Sequence, residues 1–218
     1  MLINLTQIYK GLEDYRKERG LTAQNQKAGY IINVMEEFGE LATALRNYEK
    51  IKNGEQAFKM TTTKMKLADD IFCEVVERKA LCLADAKHDI IDAICDIAVF
   101  TINAGADINA SKKLKNIDTT KTRQSNSSLS FLLSECGNFD YFGKLSSYVC
   151  FYEILISCAQ ICKDYGYNFE IAMLETIKEI SSRTGAYDSN IGKWVKDTSP
   201  EAQAKWYKAN YEKARIEK

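Results

Sequence analysis

An apolar stretch interrupted by regularly spaced aspartates constrains the fold of this chain more than any other feature. From Ile90 to Ala106 most residues are apolar or small, which predicts a long helix that begins near Ala84. A helix that is apolar on almost every side is expected to be central and largely buried. Its acids step by 4, 3 and 4 positions and therefore share one narrow face: Asp85, Asp89, Asp92 and Asp96, with Asn103 on the same line.

This line of like charges needs compensation inside a buried helix. Acids one turn apart repel each other even in water, and partial burial makes an uncompensated charge far more costly. The chain has one histidine, His88, and no Cys-x-x-Cys pair, so the available ligands are oxygens. Carboxylate sites of this kind suit hard cations such as Mg²⁺, Mn²⁺ or Ca²⁺. We therefore expect a cation site along Asp89, Asp92 and Asp96.

A second group of acids lies on a helix predicted from Ala23 to Tyr48. Glu36, Glu37 and Glu40 have the spacing EExxE, and Asn33 shares their face. Taken alone, this motif is more typical of a solvated helix face. If the two acidic lines face each other, they form a cage of four carboxylates: Glu37, Glu40, Asp89 and Asp92.

The secondary-structure pattern favours an all-α fold, since the chain has a single proline, Pro200, and several long helical patterns. We expect a helical bundle whose two central helices carry facing acidic stripes. Residues 61–83 are ambiguous, although Ile71, Val75 and Val76 suggest a short helix; position 71 lies outside the residues that the structure describes. Residues 109–128 predict a loop, and 185–196 look irregular. Helices are predicted at about 5–19, 23–48, 84–106, 129–135, 145–164 and 169–183, with a last one starting at Ser199-Pro200-Glu201.

Composition excludes several classes of protein. Lys+Arg and Asp+Glu both total 30, so an extended electrostatic grip on a nucleic acid polymer or a membrane surface is not expected. The seven cysteines lie in apolar helical stretches, which is typical of a reduced intracellular protein. The first residues lack the pattern of a signal peptide, and aspartates interrupt the most apolar run. The expected location is cytoplasmic.

The two acidic motifs together resemble the signature of a known superfamily, the all-α nucleoside triphosphate pyrophosphohydrolases. It includes the MazG-like enzymes, the dimeric dUTPases and phosphoribosyl-ATP pyrophosphatase. Its signature is EExxE on one helix and [ED]xxD on the next, here Glu36-Glu37-Phe38-Gly39-Glu40 and Asp89-Ile90-Ile91-Asp92. The resemblance covers about residues 5–50 and 85–108, with a weaker match at 168–185. Position 89 is Asp where the family usually has Glu.

The resemblance implies a reaction, a metal and an assembly. The expected activity is Mg²⁺-dependent hydrolysis of a nucleoside triphosphate at its α-phosphorus, which yields a monophosphate and pyrophosphate. The expected substrate class is a deoxynucleoside triphosphate, and Mn²⁺ is an alternative metal. It further implies a homodimer or higher homo-oligomer and one domain over 1–218, with insertions at about 50–83 and 109–165. The implied metal ligands are Glu37, Glu40, Asp89 and Asp92, with Asp96 as a further acid, and Glu36 is implied to orient the attacking water.

A triphosphate also needs cationic partners outside the metal ligands. Candidates follow the EExxE motif or lie near the C-terminus, and each one alone is more typical of a solvated surface charge. Trp194 could stack on a base, although packing of the last helix explains it equally well. The predicted substrate-binding residues are Asn33, Arg46, Lys50, Arg183, Lys193 and Trp194, with Lys52 and Lys196 as further candidate cations.

Two other classes of protein fit the acidic stripes. A di-iron carboxylate bundle requires Glu-x-x-His motifs on paired helices, and the only histidine has Asp85 three positions before it. A non-enzymatic helical adaptor or metal-binding bundle would use the stripes to bind a basic partner or an ion without turnover.

Overall fold

The computed structural model describes residues 2–66, 72–108, 114–121, 128–141, 144–188 and 193–217. Within these ranges the chain is mostly helical and has only small sheets, so the predicted mainly helical character is confirmed. The homodimer and the facing of the two acidic stripes stay predictions. Among the described helices, none combines the length and the apolar character that a membrane crossing requires.

The helices follow the predicted order with shifted ends. The predicted helix over 23–48 is interrupted at Gly29. A capping box starts the short helix before this glycine: the Asn25 amide donates to the Thr22 hydroxyl, and the Thr22 amide donates to the Asn25 side chain. The described helices are α1 (Thr6–Glu18), α2 (Ala23–Ala28), α3 (Tyr30–Lys52), α4 (Leu83–Ala104), α5 (Leu129–Tyr141), α6 (Lys144–Asp164), α7 (Phe169–Ser182) and α8 (Pro200–Gln203).

The described strands form three antiparallel pairs. The strands are β1 (Leu2–Asn4), β2 (Phe58–Lys66), β3 (Phe72–Ala80), β4 (Asn116–Asp118), β5 (Gly185–Asp188) and β6 (Lys193–Lys196). β1 pairs with β4, and Ile3 lies opposite Ile117. β2 pairs with β3, and β5 pairs with β6, where Tyr187 lies opposite Trp194.

The described chain divides into two compact units. The first unit comprises Met1–Phe38 and Ile91–Lys218, and the second unit comprises Gly39–Ile90. In the first unit, α1 packs against α7 and α5 packs against α6. Ile91, Ile94 and Ile97 of α4 are fully buried, which confirms the predicted burial of that helix.

The second unit holds the end of α3, the β2–β3 hairpin and the start of α4. The Leu81 amide donates to the Ala57 carbonyl (2.9 Å) and closes the base of the hairpin. The α4 start is stabilised by Asp85, whose carboxylate accepts from the Cys82 amide (3.0 Å) and lies 3.5 Å from Lys79 Nζ. This hairpin falls within the region predicted as the first insertion.

Two local predictions were wrong. The suggested short helix around Val75 is strand β3, because a run of β-branched residues on both strands favours an extended backbone. Residues 185–196 contain the β5–β6 hairpin rather than irregular chain. The start of the last helix is confirmed: it begins at the predicted Ser199 cap, with Pro200 first, and it ends at Gln203. Beyond it the chain continues to a 3₁₀ turn at Tyr211–Ala214.

Candidate active site

The negative charges of three carboxylates of the first unit interact with a fourth carboxylate, that of Asp96. Asp92 and Asp96 lie one turn apart on α4, Glu37 lies on α3, and Glu179 lies on α7. Burial raises the pKa of the Asp96 carboxyl well above its usual range. The charges of Asp92, Glu37 and Glu179 raise that pKa further, because negative neighbours disfavour another negative charge. These four residues are called the acidic cluster below.

Two cations border the acidic cluster. Arg183 follows α7 directly, and its Nη2 donates to Glu179 Oε1 at 2.9 Å. Burial alone would lower the pKa of this guanidinium, but Glu179, Asp96 and Asp92 raise it. Lys196 is the last residue of β6. Partial loss of solvent and the positive charge of Arg183 lower the pKa of its ammonium, and the negative charges of Asp96 and Glu37 offset part of this decrease. The charges of Arg183 and Lys196, two of the cations predicted from the sequence, therefore both interact with the acidic cluster.

Tyr211 connects the C-terminal segment to the acidic cluster. Its hydroxyl donates to Asp92 Oδ1 at 2.6 Å and lies 3.0 Å from Thr176 Oγ1 on α7. Burial raises the pKa of the Tyr211 phenol, and the neighbouring thiol of Cys95 and carboxylate of Asp92 raise it further. The phenol is therefore neutral at ordinary pH and serves as a hydrogen-bond donor.

The predicted base-stacking residue Trp194 packs within the protein. The guanidinium of Arg19 lies 4.7 Å from the centre of its ring. A Cβ on Gly185, across the β5–β6 pair, would lie 2.6 Å from Trp194 Cζ2. Arg19 thus lies over the indole and Gly185 packs against its edge, while the residue remains partly exposed.

The remaining predicted residues of the first unit lie on α3 and on β6. Glu36 is exposed, and Asn33 is partly exposed. Lys193 begins β6, but its side chain lies outside the described part of the structure. A role for these three residues stays a prediction.

The second unit holds four further predicted residues. Glu40, Arg46 and Lys50 are exposed on α3, and Arg46 Nη2 donates to Thr43 Oγ1 at 3.2 Å. Arg46 and Lys50 line an open depression of about 380 Å³. Asp89 lies 2.5 Å from Lys59 Nζ of the hairpin. The metal-binding roles of Glu40 and Asp89 stay predictions.

The donor set fits a hard divalent cation by its chemistry. The acidic cluster offers only carboxylate oxygens, and its members raise the pKa of Asp96, so a cation among them would relieve repulsion. Within the described ranges, however, no group of three or more Asp, Glu, His or Cys side chains is arranged to hold a metal ion. The carboxylates would have to reorient to close a complete coordination shell.

Comparison with known proteins adds no relative: no protein-family model, curated protein or solved structure matches the chain. The candidate site therefore depends on the residues of this chain alone.

Sequence reasoning missed two members of the site. Glu179 lies four residues before Arg183, so the helical spacing of an acid and a base could have indicated their pairing. Tyr211 gave no comparable signal. It lies 119 positions after Asp92, and only the path of the folded chain brings the two together.

Proposed function

We propose that the protein is a Mg²⁺-dependent nucleoside triphosphate pyrophosphohydrolase that acts on deoxynucleoside triphosphates. The observation that carries the proposal is the acidic cluster with Arg183 and Lys196 beside it. Carboxylates suit the metal that accompanies a triphosphate, and neighbouring cations suit its phosphate oxygens. The EExxE and DxxD motifs support the same chemistry through their resemblance to the superfamily.

In this proposal different residues bind the metal, bind the phosphates and orient the attacking water. Glu37, Asp92 and Asp96 would hold Mg²⁺, which supplies charge neutralisation and polarises phosphoryl oxygens when it is bound. Arg183 and Lys196 bind phosphate oxygens and stabilise charge on the leaving pyrophosphate. Glu36 orients a water molecule toward the α-phosphorus. The water oxygen forms a bond to that phosphorus, the bond to the bridging oxygen of the β-phosphate breaks, and the products are a monophosphate and pyrophosphate.

The test is product analysis with purified protein, Mg²⁺ or Mn²⁺, and a panel of ribo- and deoxyribonucleoside triphosphates. Pyrophosphate and a monophosphate in equal amounts support the proposal, whereas release of inorganic phosphate, or no hydrolysis, contradicts it. Glu37→Gln, which removes a proposed metal ligand, is expected to abolish turnover without unfolding the protein. The matched control is Glu13→Gln, an exposed acid on α1 that pairs with Lys17, and it is expected to retain full turnover.

A second candidate function is a helical adaptor or metal-binding bundle without turnover. It is favoured by one observation: a hydrogen bond from Tyr211 and the positive charge of Arg183 already compensate part of the charge of the acidic cluster. Under this function the wild-type protein would release no product from any nucleotide in the panel.

A further inference from the structure

A small recess in the first unit is lined by polar side chains of α1 and by apolar side chains of other elements. Its volume is about 40 Å³. The polar residues lie at helical spacing on one face of α1, and the apolar residues come from α4, α6 and the 3₁₀ turn that follows α4. The lining residues are Tyr9, Glu13, Arg16, Ile102, Ala106 and Phe151. None of them belongs to the acidic cluster.

The hydroxyl of Tyr9 indicates that this recess takes a ligand. Tyr9 is 8% exposed, and its hydroxyl has no hydrogen-bond partner among the residues that the structure describes. Buried polar groups nearly always have a partner, because an unmade hydrogen bond away from water is costly. Burial and the neighbouring Tyr148 raise the pKa of the Tyr9 phenol, so it keeps its proton at ordinary pH. The phenol is therefore a buried donor that needs an acceptor.

Arg16 supplies positive charge and further donors to the same recess. Its Nη1 donates to Asn103 Oδ1 at 2.7 Å, and a guanidinium has five N–H donors in all, so most of its donors remain for a ligand. Burial lowers the pKa of this guanidinium, and the charge of Glu13 offsets part of the decrease. Glu13 in turn lies 2.6 Å from Lys17 Nζ. One acid and two bases leave the polar side of the recess with a net positive charge.

We propose that this recess binds the carboxylate of a short aliphatic acid. A guanidinium pairs with a carboxylate through two parallel hydrogen bonds, and the Tyr9 hydroxyl donates to the same group. Ile102 and Phe151 offer apolar contact to the alkyl part of the acid. The acid must be short, since an engineered cavity of about 150 Å³ holds one benzene molecule and this recess is smaller. A phosphate would bring more negative charge beside Glu13 and has no alkyl part.

The test is a titration of ¹⁵N-labelled protein with sodium acetate at constant ionic strength, followed by NMR. The side-chain Nε–H signal of Arg16 and the backbone amide signals of Ile102 and Phe151 are expected to shift and to saturate together. Tyr9→Phe is expected to bind acetate roughly 10-fold more weakly, because it removes a hydrogen bond to a charged group. It should fold as the wild type does, since the lost hydroxyl has no partner among the described residues.

The matched control is Tyr167→Phe. Tyr167 is 3% exposed and does not line the recess, so this variant should retain wild-type acetate affinity. Equal weakening in Tyr9→Phe and Tyr167→Phe overturns the proposal. Should Tyr9→Phe fail to fold, Arg16→Lys keeps the charge but loses the planar fork. It is expected to weaken acetate binding roughly 10-fold, and unchanged affinity in it contradicts the proposal.

Two further probes separate a carboxylate site from other polar sites. Acetamide has the shape of acetate without its charge, and inorganic phosphate is a larger anion. Tighter binding of acetate than of either probe supports the proposal, whereas equal binding of acetamide, or displacement of acetate by less phosphate than acetate, overturns it. A shift that stays linear in acetate concentration also overturns it, because water is then the partner of the Tyr9 hydroxyl. None of these outcomes depends on nucleotide hydrolysis.

Discussion

At the scale of single residues, Arg19 shows how a charged side chain is accommodated in the interior. It is 7% exposed, and its guanidinium lies between the rings of Tyr15 and Trp194, 4.4 and 4.7 Å from their centres. Carbonyls at a helix C-terminus lack helical partners, and Arg19 supplies donors at the end of α7. Its Nη2 lies 3.3, 3.1 and 3.0 Å from the carbonyl oxygens of Ile180, Ser181 and Arg183.

Arg19→Lys is therefore expected to destabilise the protein although it retains the charge. An ammonium lacks the planar fork that reaches several carbonyls and stacks between two rings. Hydrogen bonds from a charged donor contribute about 1.5–3 kcal/mol, so we expect the free energy of unfolding to fall by about 2 kcal/mol in urea denaturation.

The matched control for this substitution is Arg215→Lys. Arg215 is exposed and pairs only loosely with Glu212, 3.3 Å away, and exposed pairs contribute less than about 1 kcal/mol. Equal losses of stability in the two variants would show that the three carbonyls and two rings around Arg19 contribute nothing specific.

At the scale of elements, one buried acid makes several of the contacts between the C-terminal segment and α7. Glu175 is 1% exposed and accepts from the Tyr207 hydroxyl, the Asn210 amide, and the ammonium groups of Lys178 and Lys213. Burial alone would raise the pKa of Glu175, but these donors outweigh it and lower the pKa to about 2. The segment is thus attached through a carboxylate that must remain ionised.

This lowered pKa predicts acid sensitivity. A carboxyl whose pKa is depressed in the folded state stabilises that state above its unfolded pKa, near 4.5, and loses this contribution as the pH falls toward about 2. Glu175→Gln should therefore lower the free energy of unfolding by about 2 kcal/mol at neutral pH and much less near pH 2. Urea denaturation between neutral pH and pH 2 measures this difference. Exposed Glu55→Gln is the control, and a pH-independent difference for Glu175→Gln contradicts the prediction.

The β5–β6 hairpin provides a second test at this scale. A Cβ on Gly185 would lie 2.6 Å from Trp194 Cζ2 and closer still to the Val195 carbonyl oxygen. Gly185→Ala must therefore push the strands apart, at a cost of roughly 1–3 kcal/mol. Hydrogen exchange should show faster exchange of the paired amides of β5 and β6.

Gly137→Ala is the control for the hairpin substitution. Gly137 lies within α5 with open space around it, and alanine is favoured over glycine in a helix by about 1 kcal/mol. The melting temperature should rise in Gly137→Ala and fall in Gly185→Ala. Unchanged exchange in the hairpin of Gly185→Ala would show that the strands tolerate the added methyl group.

The elements also show what could be predicted from sequence. The burial of α4 was predictable because apolar residues surround a single acidic face. The β2–β3 hairpin was not, since a few apolar residues such as Val75 and Val76 match helical and extended spacing equally well over a short run. The early end of α8 has a tertiary cause: the next residues contact α7, where the Tyr207 amide donates to Ser182 Oγ at 2.8 Å.

At the scale of the whole molecule, the candidate site combines predictable and unpredictable parts. Local spacing identified Glu37, Asp92 and Asp96, because acids on one helix face need only the helical repeat to be recognised. The neighbours Glu179 and Tyr211 come from distant parts of the chain, and only the tertiary fold brings them to these acids. Glu179 adds a negative charge near Asp96, and Tyr211 donates a hydrogen bond to Asp92, so these distant residues change the repulsion among the carboxylates.

Metal binding should therefore link the acidic cluster to the stability of the entire chain. A ligand that binds only the folded state stabilises it by about 2.7 kcal/mol at 100 times its dissociation constant. For a chain of this size each kcal/mol raises the melting temperature by about 2–4 °C. Saturating Mg²⁺ is thus expected to raise the wild-type melting temperature by roughly 5–10 °C.

Asp96→Asn should raise the melting temperature without metal and reduce the additional stabilisation by Mg²⁺. Removing a carboxylate whose pKa is raised by burial and by Asp92 and Glu37 relieves repulsion, so the variant should melt at a higher temperature than the wild type without metal. It also removes a proposed ligand, so added Mg²⁺ should stabilise it far less. Asp164→Asn, an exposed acid at the end of α6 that accepts from Gln160 (2.7 Å), should retain the full Mg²⁺ effect. A Mg²⁺-induced shift of equal size in all three proteins would place the cation outside the acidic cluster.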